Sequence, residues 1–367
     1  MTTPPPRPRS LIRNAVASMT PYSPPEDPDR LARRLGIPVS KVIKLDANEN
    51  PYGASPMVNQ SLAEFSGYHI YPDPDQEHAR NVLSEYVGVG PEQLFLGNGS
   101  DELIDLLMRA VLNPGDEVVD FSPTFGVYAF VAQQYEAPLI DVPRDERFDI
   151  DLGAALRAIT PKTKITFLAS PNNPTGNPVS RELVERLLDT GVLVVVDEAY
   201  AEFRGESLAS MVAERDNLVL LRTFSKWAGL AGLRLGYAIL PSSLSPHMWK
   251  LKAPFNINQA AVIAMEASLN DRAWLEANVR AIVSEQRRLM ELLSSIDYLT
   301  PYPSAANFIL VRAEGILGSE LTRYLADQGI LVRFYNSERL RKFIRISVGT
   351  PPQTDRLIEM LRKAPVQ

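Results

Sequence analysis

The chain has 367 residues, 45% of them hydrophobic and 22% charged, a composition typical of a globular protein with a sizeable core. Its 38 basic and 44 acidic residues give a net charge of −6, so a nucleic-acid partner is not expected. The lack of cysteine excludes disulfides and thiolate metal sites, and three scattered histidines offer little material for metal or serine–histidine catalysis. No apolar run reaches the roughly 20 residues of a membrane span. The first residues also lack the apolar core of a secretory signal, so we expect a cytoplasmic location.

The predicted elements fall into two regions after a proline-rich start over 1–30, which we expect to be an extended arm. From about residue 75, apolar runs typical of buried strands alternate with amphipathic helical patterns such as 180–190. The runs cover 93–96, 117–121, 164–169, 193–196, 218–221 and 236–240. This alternation predicts a three-layer α/β fold, with a mainly parallel sheet covered by helices on both faces.

After about residue 270 the rhythm changes. A long helical pattern covers 271–295. It is followed by short strand patterns at 308–311, 331–334 and 343–348 and by helical patterns at 318–328 and 354–363. This order indicates a smaller α+β domain. We therefore expect an arm over 1–45, a large domain over 46–270 and a small domain over 271–367.

Three segments place polar residues where predicted strands end. In 94–102 (LFLGNGSDE), two glycines precede a helix whose free N–H groups suit either an ordinary cap or a bound phosphate. In 169–176 (ASPNNPTG), strong turn chemistry brings Asn173 to the end of a strand, where open α/β sheets bind ligands. In 193–200 (LVVVDEAY), Asp197 follows a buried run and needs a partner, either a helix start, Mg²⁺ or the protonated ring nitrogen of a cofactor. No phosphate-binding G-x-x-x-x-G-K-[ST] loop supports the Mg²⁺–nucleotide alternative.

The most informative segment is 220–236 (LLRTFSKWAGLAGLRLG), which carries Lys226 from an apolar strand into a loop of small residues. A lysine in such a cleft loses its proton at modest cost and can attack a carbonyl to form a Schiff base. Together with the three segments above, it completes the set that pyridoxal phosphate requires: a lysine, a carboxylate, an amide and a phosphate-binding turn.

The motifs GNGSDE, SPNNPTG, DEAY, TFSKWAGLAGLRLGY and IRISVGT, in this order, resemble those of the fold-type I aminotransferases, and within them most the histidinol-phosphate aminotransferases. The likeness extends from 45–53 (LDANENPYG) to 344–350 (IRISVGT). It implies the aspartate aminotransferase-like fold with pyridoxal 5′-phosphate as cofactor. It also implies a homodimer with shared active sites and an arm that packs on the small domain or on the dimer partner.

The resemblance further implies roles for individual residues. Lys226 would form the Schiff base and shuttle a proton, and Asp197 would pair with the ring nitrogen. Asn173 and Tyr200 would bond the ring oxygen. Phe125, in 122–126 (SPTFG), would stack on the ring; many relatives have tyrosine there, so a polar contact is missing. The cofactor phosphate would contact Ser100, Asp101, Ser225, Arg234 and, from the neighbouring subunit, Tyr52.

Two arginines on predicted strands are candidates for contacts with the substrate. Alternation places Arg345 on the strand face opposite Ile344 and Ile346, and Arg333 on a similar face of its own strand. Surface ion pairing is the alternative that the pattern alone leaves open. The resemblance makes Arg345 the clamp for a carboxylate or phosphate and Arg333 a second anion contact, with Asn173 also at the substrate. Tyr22, in 19–24 (MTPYSP), would be an arm tyrosine that closes over substrate.

The reaction implied is transamination of L-histidinol phosphate with 2-oxoglutarate in L-histidine biosynthesis. An aromatic amino-acid aminotransferase would share every cofactor residue, and a threonine-phosphate decarboxylase of cobalamin synthesis would share the fold and a phosphate-bearing substrate. A non-catalytic pyridoxal-phosphate-binding regulator would need a DNA-binding domain, for which residues 1–45 are too short and too rich in proline. The acidic net charge also argues against the regulator.

Overall fold

A computed structural model describes residues 11–21 and 26–366. In this part of the chain fourteen α-helices run over Asn14–Ser18 (α1), Pro28–Leu35 (α2), Pro56–Glu64 (α3), Glu77–Val87 (α4), Ser100–Val111 (α5), Val127–Gln134 (α6), Leu152–Ala158 (α7), Arg181–Leu188 (α8), Ala201–Arg204 (α9), Ser245–Leu251 (α10), Gln259–Asn270 (α11), Arg272–Ser294 (α12), Gly318–Asp327 (α13) and Pro351–Leu361 (α14). The strands run over Ile43–Leu45 (β1), Leu94–Gly97 (β2), Glu117–Asp120 (β3), Leu139–Asp141 (β4), Thr163–Ala169 (β5), Leu193–Asp197 (β6), Leu218–Thr223 (β7), Gly236–Ile239 (β8), Leu299–Pro301 (β9), Phe308–Ala313 (β10), Ile330–Phe334 (β11) and Phe343–Ser347 (β12). None of the helices in these described ranges is long and apolar enough to cross a membrane.

The larger of two sheets has seven strands in the order β2-β8-β7-β6-β5-β3-β4. Neighbours from β7 to β4 pair in parallel, and β8 runs antiparallel to both β7 and β2. The central strands are buried on both faces because their apolar runs are continuous, as in the first four residues of β6. The predicted mainly parallel sheet is confirmed.

Helices cover both faces of this sheet and bury successive strand residues in separate cores. On β6, Val194 and Val196 pack in the core that contains Leu183 and Leu187 of α8, whereas Val195 belongs to the core of α5, α6 and α10. Because the side chains of a strand alternate between its faces, each central strand contributes to both layers. The predicted three-layer arrangement is thus confirmed.

The smaller sheet has five strands in the order β1-β11-β12-β10-β9. The strands β10, β11 and β12 pair antiparallel, while β1 joins β11 in parallel from the N-terminal part of the chain. In α12, which runs beside this sheet, Leu275, Ile282 and Leu289 belong to the same core cluster as strand residues of β10. The division into 1–45, 46–270 and 271–367 stays a prediction.

The N-terminal region differs from the expected extended arm. Asn14–Ser18 and Pro28–Leu35 are helical, so the expectation of an extended 1–30 is wrong at these positions. The second helix starts as expected for a proline at its first turn, with the Asp27 side chain accepting the N–H of Asp29 at 3.0 Å. Its Leu31 is buried against Ala326 and Leu331, which anchors this helix to the small sheet.

Candidate active site

A cavity of about 340 Å³ lies where β5, β6 and β7 end and α5 begins, and residues of β11 and β12 line its other side. Its walls include eleven of the residues that the sequence predicted: Ser100, Asp101, Phe125, Asn173, Asp197, Tyr200, Ser225, Lys226, Arg234, Arg333 and Arg345. A larger cavity of about 960 Å³, near Phe148 and Arg339, is lined by none of them. We take the smaller cavity as the active site because the predicted lysine, carboxylate and arginines meet there.

Lys226 lies three residues beyond β7, with its amine directed into the cavity. Its Nζ donates a hydrogen bond to the carbonyl of Ala47 at 3.0 Å. Burial lowers the pKa of Lys226 to about 8, helped by the positive charges of Arg345 and Arg234 and opposed by Glu49. At pH 7 about one tenth of this amine is therefore unprotonated and nucleophilic.

Asp197 is the last residue of β6 and is only 5% exposed. Its carboxylate accepts hydrogen bonds from the Tyr128 hydroxyl at 2.7 Å and from the N–H of Ala199 at 3.0 Å. Burial raises the pKa of Asp197 to about 6, and the two hydrogen bonds limit the rise. The group is therefore still an anion at neutral pH, in a position that favours a cationic ligand atom.

Asn173 and Tyr200 lie at the ends of β5 and β6 and line the cavity. Asn48 donates to the Tyr200 hydroxyl at 2.9 Å, and burial raises the pKa of Tyr200 to about 12, so this tyrosine keeps its proton. The amide oxygen of Asn173 accepts hydrogen bonds from Arg345 Nη1 at 2.7 Å and from the Tyr335 hydroxyl at 3.2 Å. Since its oxygen is occupied, the Asn173 amide has N–H groups to offer to a ligand.

The start of α5 forms a cradle with Arg234. Gly99 precedes the helix with φ +81°, and a Cβ atom there would stand 2.5 Å from Arg234 Nη2, so only glycine fits. Arg234 pairs with Asp101 at 3.1 Å and donates to the Ser225 hydroxyl at 3.4 Å. Free N–H groups at a helix start, a hydroxyl and a guanidinium together suit a phosphate.

Arginines of strands β11 and β12 line the other side of the cavity. Arg333 and Arg345 are direct cross-strand partners, and both line the cavity. Arg345 is 5% exposed, and its Nη2 donates to the carbonyl of Asp46 at 2.5 Å. Two guanidinium groups on one wall create a positive potential that attracts a carboxylate or phosphate.

The three aromatic residues Phe125, Tyr52 and Tyr22 differ in how far the structure places them at the site. Phe125 follows β3, lines the cavity and contacts the Tyr128 ring edge-on, with 5.6 Å between ring centroids. Tyr52 is partly buried against the large core, and its role in a neighbouring subunit stays a prediction. Tyr22 lies outside the described residues, so its proposed closure over substrate also stays a prediction.

Sequence reasoning missed three side chains of the site. Tyr128, on α6, holds the Asp197 carboxylate; Asn48 holds the Tyr200 hydroxyl; and Tyr335 accepts a hydrogen bond from Arg345 Nη1 at 2.8 Å. Asn48 lies in the segment 45–53 (LDANENPYG), so the motif could have pointed to it as a site residue. Tyr128 and Tyr335 lie outside the quoted motifs, and no sequence pattern pointed to them.

The residues present fit pyridoxal phosphate. The start of α5, with the Ser225 hydroxyl and the Arg234 guanidinium beside it, suits the phosphate, and the buried anion Asp197 suits a protonated ring nitrogen. Lys226, with its lowered pKa, suits the aldehyde.

Comparison with known proteins agrees with this geometry. Residues 40–361 match the family described as aminotransferase class I and II. Histidinol-phosphate aminotransferase of Roseiflexus castenholzii is 49% identical over 96% of this chain and 98% of its own length. The chloroplastic histidinol-phosphate aminotransferase of Nicotiana plumbaginifolia is 43% identical over 96% of this chain and 86% of its own length.

Solved structures give the same result. The crystal structure of histidinol-phosphate aminotransferase from Sinorhizobium meliloti, in complex with pyridoxal-5′-phosphate, superposes with a TM-score of 0.85 at 26% identity, covering 97% of this chain and 98% of that one. A mutant aspartate aminotransferase of Thermus thermophilus, at 23% identity and a TM-score of 0.83, covers 96% of this chain and 99% of its own and shares the fold. The family resemblance and the fold predicted from the motifs are confirmed: the chain belongs to the class I and II aminotransferases.

Proposed function

We propose that this aminotransferase converts L-histidinol phosphate and 2-oxoglutarate to imidazole acetol phosphate and L-glutamate, a step of L-histidine biosynthesis. One observation carries the proposal: the cross-strand arginines Arg333 and Arg345 line the same cavity as Lys226, so an anionic substrate group and the reactive amine share one site. Relatives named histidinol-phosphate aminotransferase, 41–49% identical to this chain, support the choice of substrate.

Pyridoxal phosphate is the cofactor, and when bound it supplies a ring that withdraws electrons from the amino-bearing carbon of the substrate. The Asp197 carboxylate would keep the ring nitrogen protonated, and Asn173 and Tyr200 would bond the ring oxygen. Phe125 would cover one face of the ring. The cofactor phosphate would be held by Ser100, Asp101, Ser225 and Arg234, with Tyr52 from the neighbouring subunit.

Lys226 moves the proton that transamination requires. Its amine has a pKa of about 8, close to the working pH, so it can both accept a proton from the amino-bearing carbon and return one. The nearby Arg345 and Arg234 favour the unprotonated form. The same two charges would hold anions, and a bound anion would offset part of their effect on the Lys226 amine.

Both substrates use the same clamp in turn. Histidinol phosphate offers a phosphate, and 2-oxoglutarate and glutamate offer carboxylates, each of which matches the fork of Arg345. Arg333 adds a second positive charge beside it. The predicted role of Tyr22, which lies outside the described residues, would be to contact the bound substrate. One clamp that accepts both anions fits a reaction in which donor and acceptor bind alternately.

We also propose a homodimer with shared active sites. Ile70 and Tyr71 are 64% and 77% exposed, and the Tyr71 ring stacks on that of the exposed Phe255 with centroids 4.4 Å apart. Exposed apolar clusters of this kind mark protein interfaces. Sedimentation at micromolar concentration should give a dimer. Mixing inactive Tyr52→Ala and Lys226→Ala chains should restore part of the activity, and a mixture that stays inactive would refute shared sites.

We further propose a cytoplasmic location for the protein, which cell fractionation would test.

The decisive experiment is a half-reaction on the purified, cofactor-loaded protein. L-histidinol phosphate, phenylalanine and threonine phosphate are added separately, and the absorbance of the cofactor is followed. Fast change with histidinol phosphate and a rate lower by orders of magnitude with phenylalanine would support the proposal. Preference for phenylalanine would assign the chain to the aromatic aminotransferases. Release of carbon dioxide from threonine phosphate would make it a decarboxylase.

A further inference from the structure

Tyr335 directly follows β11 and places its ring near both cleft arginines. The guanidinium carbons of Arg333 and Arg345 lie 5.7 and 5.8 Å from its ring centroid. These two arginines are directly opposite each other on antiparallel strands, an arrangement in which like charges repel. The negative face of the tyrosine ring offsets part of that repulsion, so Tyr335 belongs to the anion clamp.

The Tyr335 hydroxyl has a second relation to the clamp. Arg345 Nη1 donates to this hydroxyl at 2.8 Å and to Asn173 Oδ1 at 2.7 Å, while the hydroxyl itself donates to Asn173 Oδ1 at 3.2 Å. Two donors thus share one amide oxygen. Among the described residues, the buried Arg345 Nε has no hydrogen-bond partner. The clamp therefore holds more donors than acceptors, which is the arrangement that an incoming anion completes.

The shape of the anion decides how many donors it needs. A carboxylate has two oxygens, which the fork of a single arginine satisfies. A phosphate monoester has three terminal oxygens and a charge of about −1.5 to −2 at pH 7, so its third oxygen needs a donor beside the fork. The Tyr335 hydroxyl stands within hydrogen-bond distance of Arg345 Nη1 and can turn its proton from Asn173 to that oxygen.

We infer that Tyr335 is a specificity-determining residue, whose hydroxyl donates to the phosphate of the substrate and so favours a phosphate monoester over a carboxylate in the clamp. The inference rests on the proposed function, since it assumes that the clamp takes a phosphate in one half-reaction and a carboxylate in the other. It assigns the distinction between the two anions to one hydroxyl, because the arginines serve both.

The test is Tyr335→Phe, which removes the hydroxyl and keeps the ring beside the arginines. For the half-reaction with histidinol phosphate, kcat/KM should fall about 10- to 100-fold, the range for losing one hydrogen bond to a charged group. With glutamate it should fall less than about threefold. The matched control is Tyr302→Phe, which removes a hydroxyl from the larger cavity near Phe148 and should leave both values unchanged.

An equal fall with both donors would mean that Tyr335 only positions Arg345, and would overturn the inference, as would no fall with either. Binding experiments separate this failure from failure of the proposed function. By calorimetry on the cofactor-loaded protein, Tyr335→Phe should weaken inorganic phosphate about tenfold or more relative to acetate. This ratio tests Tyr335 even if the wild-type protein does not convert histidinol phosphate, an outcome that would refute the proposed function alone.

Discussion

Replacing Asp197 by asparagine should stabilise the cofactor-free protein while weakening its hold on the cofactor. Burial raises the pKa of Asp197 from 3.8 to about 6. One pKa unit corresponds to about 1.4 kcal/mol, so the charged carboxylate costs the fold about 3 kcal/mol at pH 8 relative to a neutral group. Asparagine removes this charge, and the Tyr128 hydroxyl can reverse its role and accept from the new amide.

The pH dependence follows from the direction of the shift. Because the folded carboxyl binds its proton more tightly than the unfolded one, its contribution to stability is complete below about pH 4. That contribution is lost as the pH rises through about 6. The gain for Asp197→Asn should therefore be about 3 kcal/mol at pH 8 and less than about 1 kcal/mol at pH 4.

Urea unfolding of both cofactor-free proteins at pH 4 and pH 8, at equal protein concentration, measures this difference. Asp189→Asn is the matched control, since that carboxylate is exposed and pairs with Arg215 at 3.3 Å, a pair worth little. In the presence of pyridoxal phosphate the wild type should become the more stable protein, because the variant should bind the cofactor with a higher Kd. Equal stability of variant and wild type at pH 8, or a gain that does not change with pH, would refute the reasoning.

Three further predictions concern the other ends of the site. Lys226→Ala should lower turnover at least about 1000-fold without loss of circular-dichroism signal, and retained turnover would rule out its proton-transfer role. Loading of pyridoxal phosphate into the cofactor-free protein should accelerate about tenfold per pH unit and level off above about pH 8, because only the neutral amine of Lys226 attacks; a flat profile in stopped-flow absorbance would contradict this. Arg345→Lys should lower kcat/KM about 10- to 100-fold for both histidinol phosphate and glutamate, since a lysine cannot form the two-pronged contact; unchanged steady-state values would place the anion elsewhere.

The sequence predicted the centre of the fold better than its edges. Central strands such as β5 and β6 could be predicted because a continuous apolar run indicates a buried strand even when its neighbouring strands are unknown. The edge strand β4 has three residues, two of them exposed, and the equally short β1 and β9 are also only partly buried. Such strands exist because a partner strand is available, and nothing in three residues predicts that partner.

The same distinction holds within the site. Asp197, Asn173 and Lys226 could be found because each follows an apolar strand at the edge where ligands bind. Tyr128 is fully buried on α6 and reads as a core aromatic, although its hydroxyl holds a carboxylate 69 positions away. Contacts that depend on the packing of a helix against a strand end are not encoded in local spacing, so this part of the site needed the structure.

Burial acts on the two reactive ends of the site in opposite directions, and this links cofactor binding to stability. It raises the pKa of Asp197 to about 6 and lowers that of Lys226 to about 8, so each group is driven toward its neutral form in the cofactor-free protein. A ligand that brings a cation to Asp197 and an anion to the cradle of Arg234 compensates the charges of these two residues at once. The cation recovers the free energy that burial of the Asp197 carboxylate costs, and the anion adds its own binding free energy at Arg234. A ring nitrogen and a phosphate joined by one rigid ring supply both contributions, and a free phosphate supplies only the second. Inorganic phosphate should therefore stabilise the cofactor-free protein far less than pyridoxal phosphate at the same free ligand concentration.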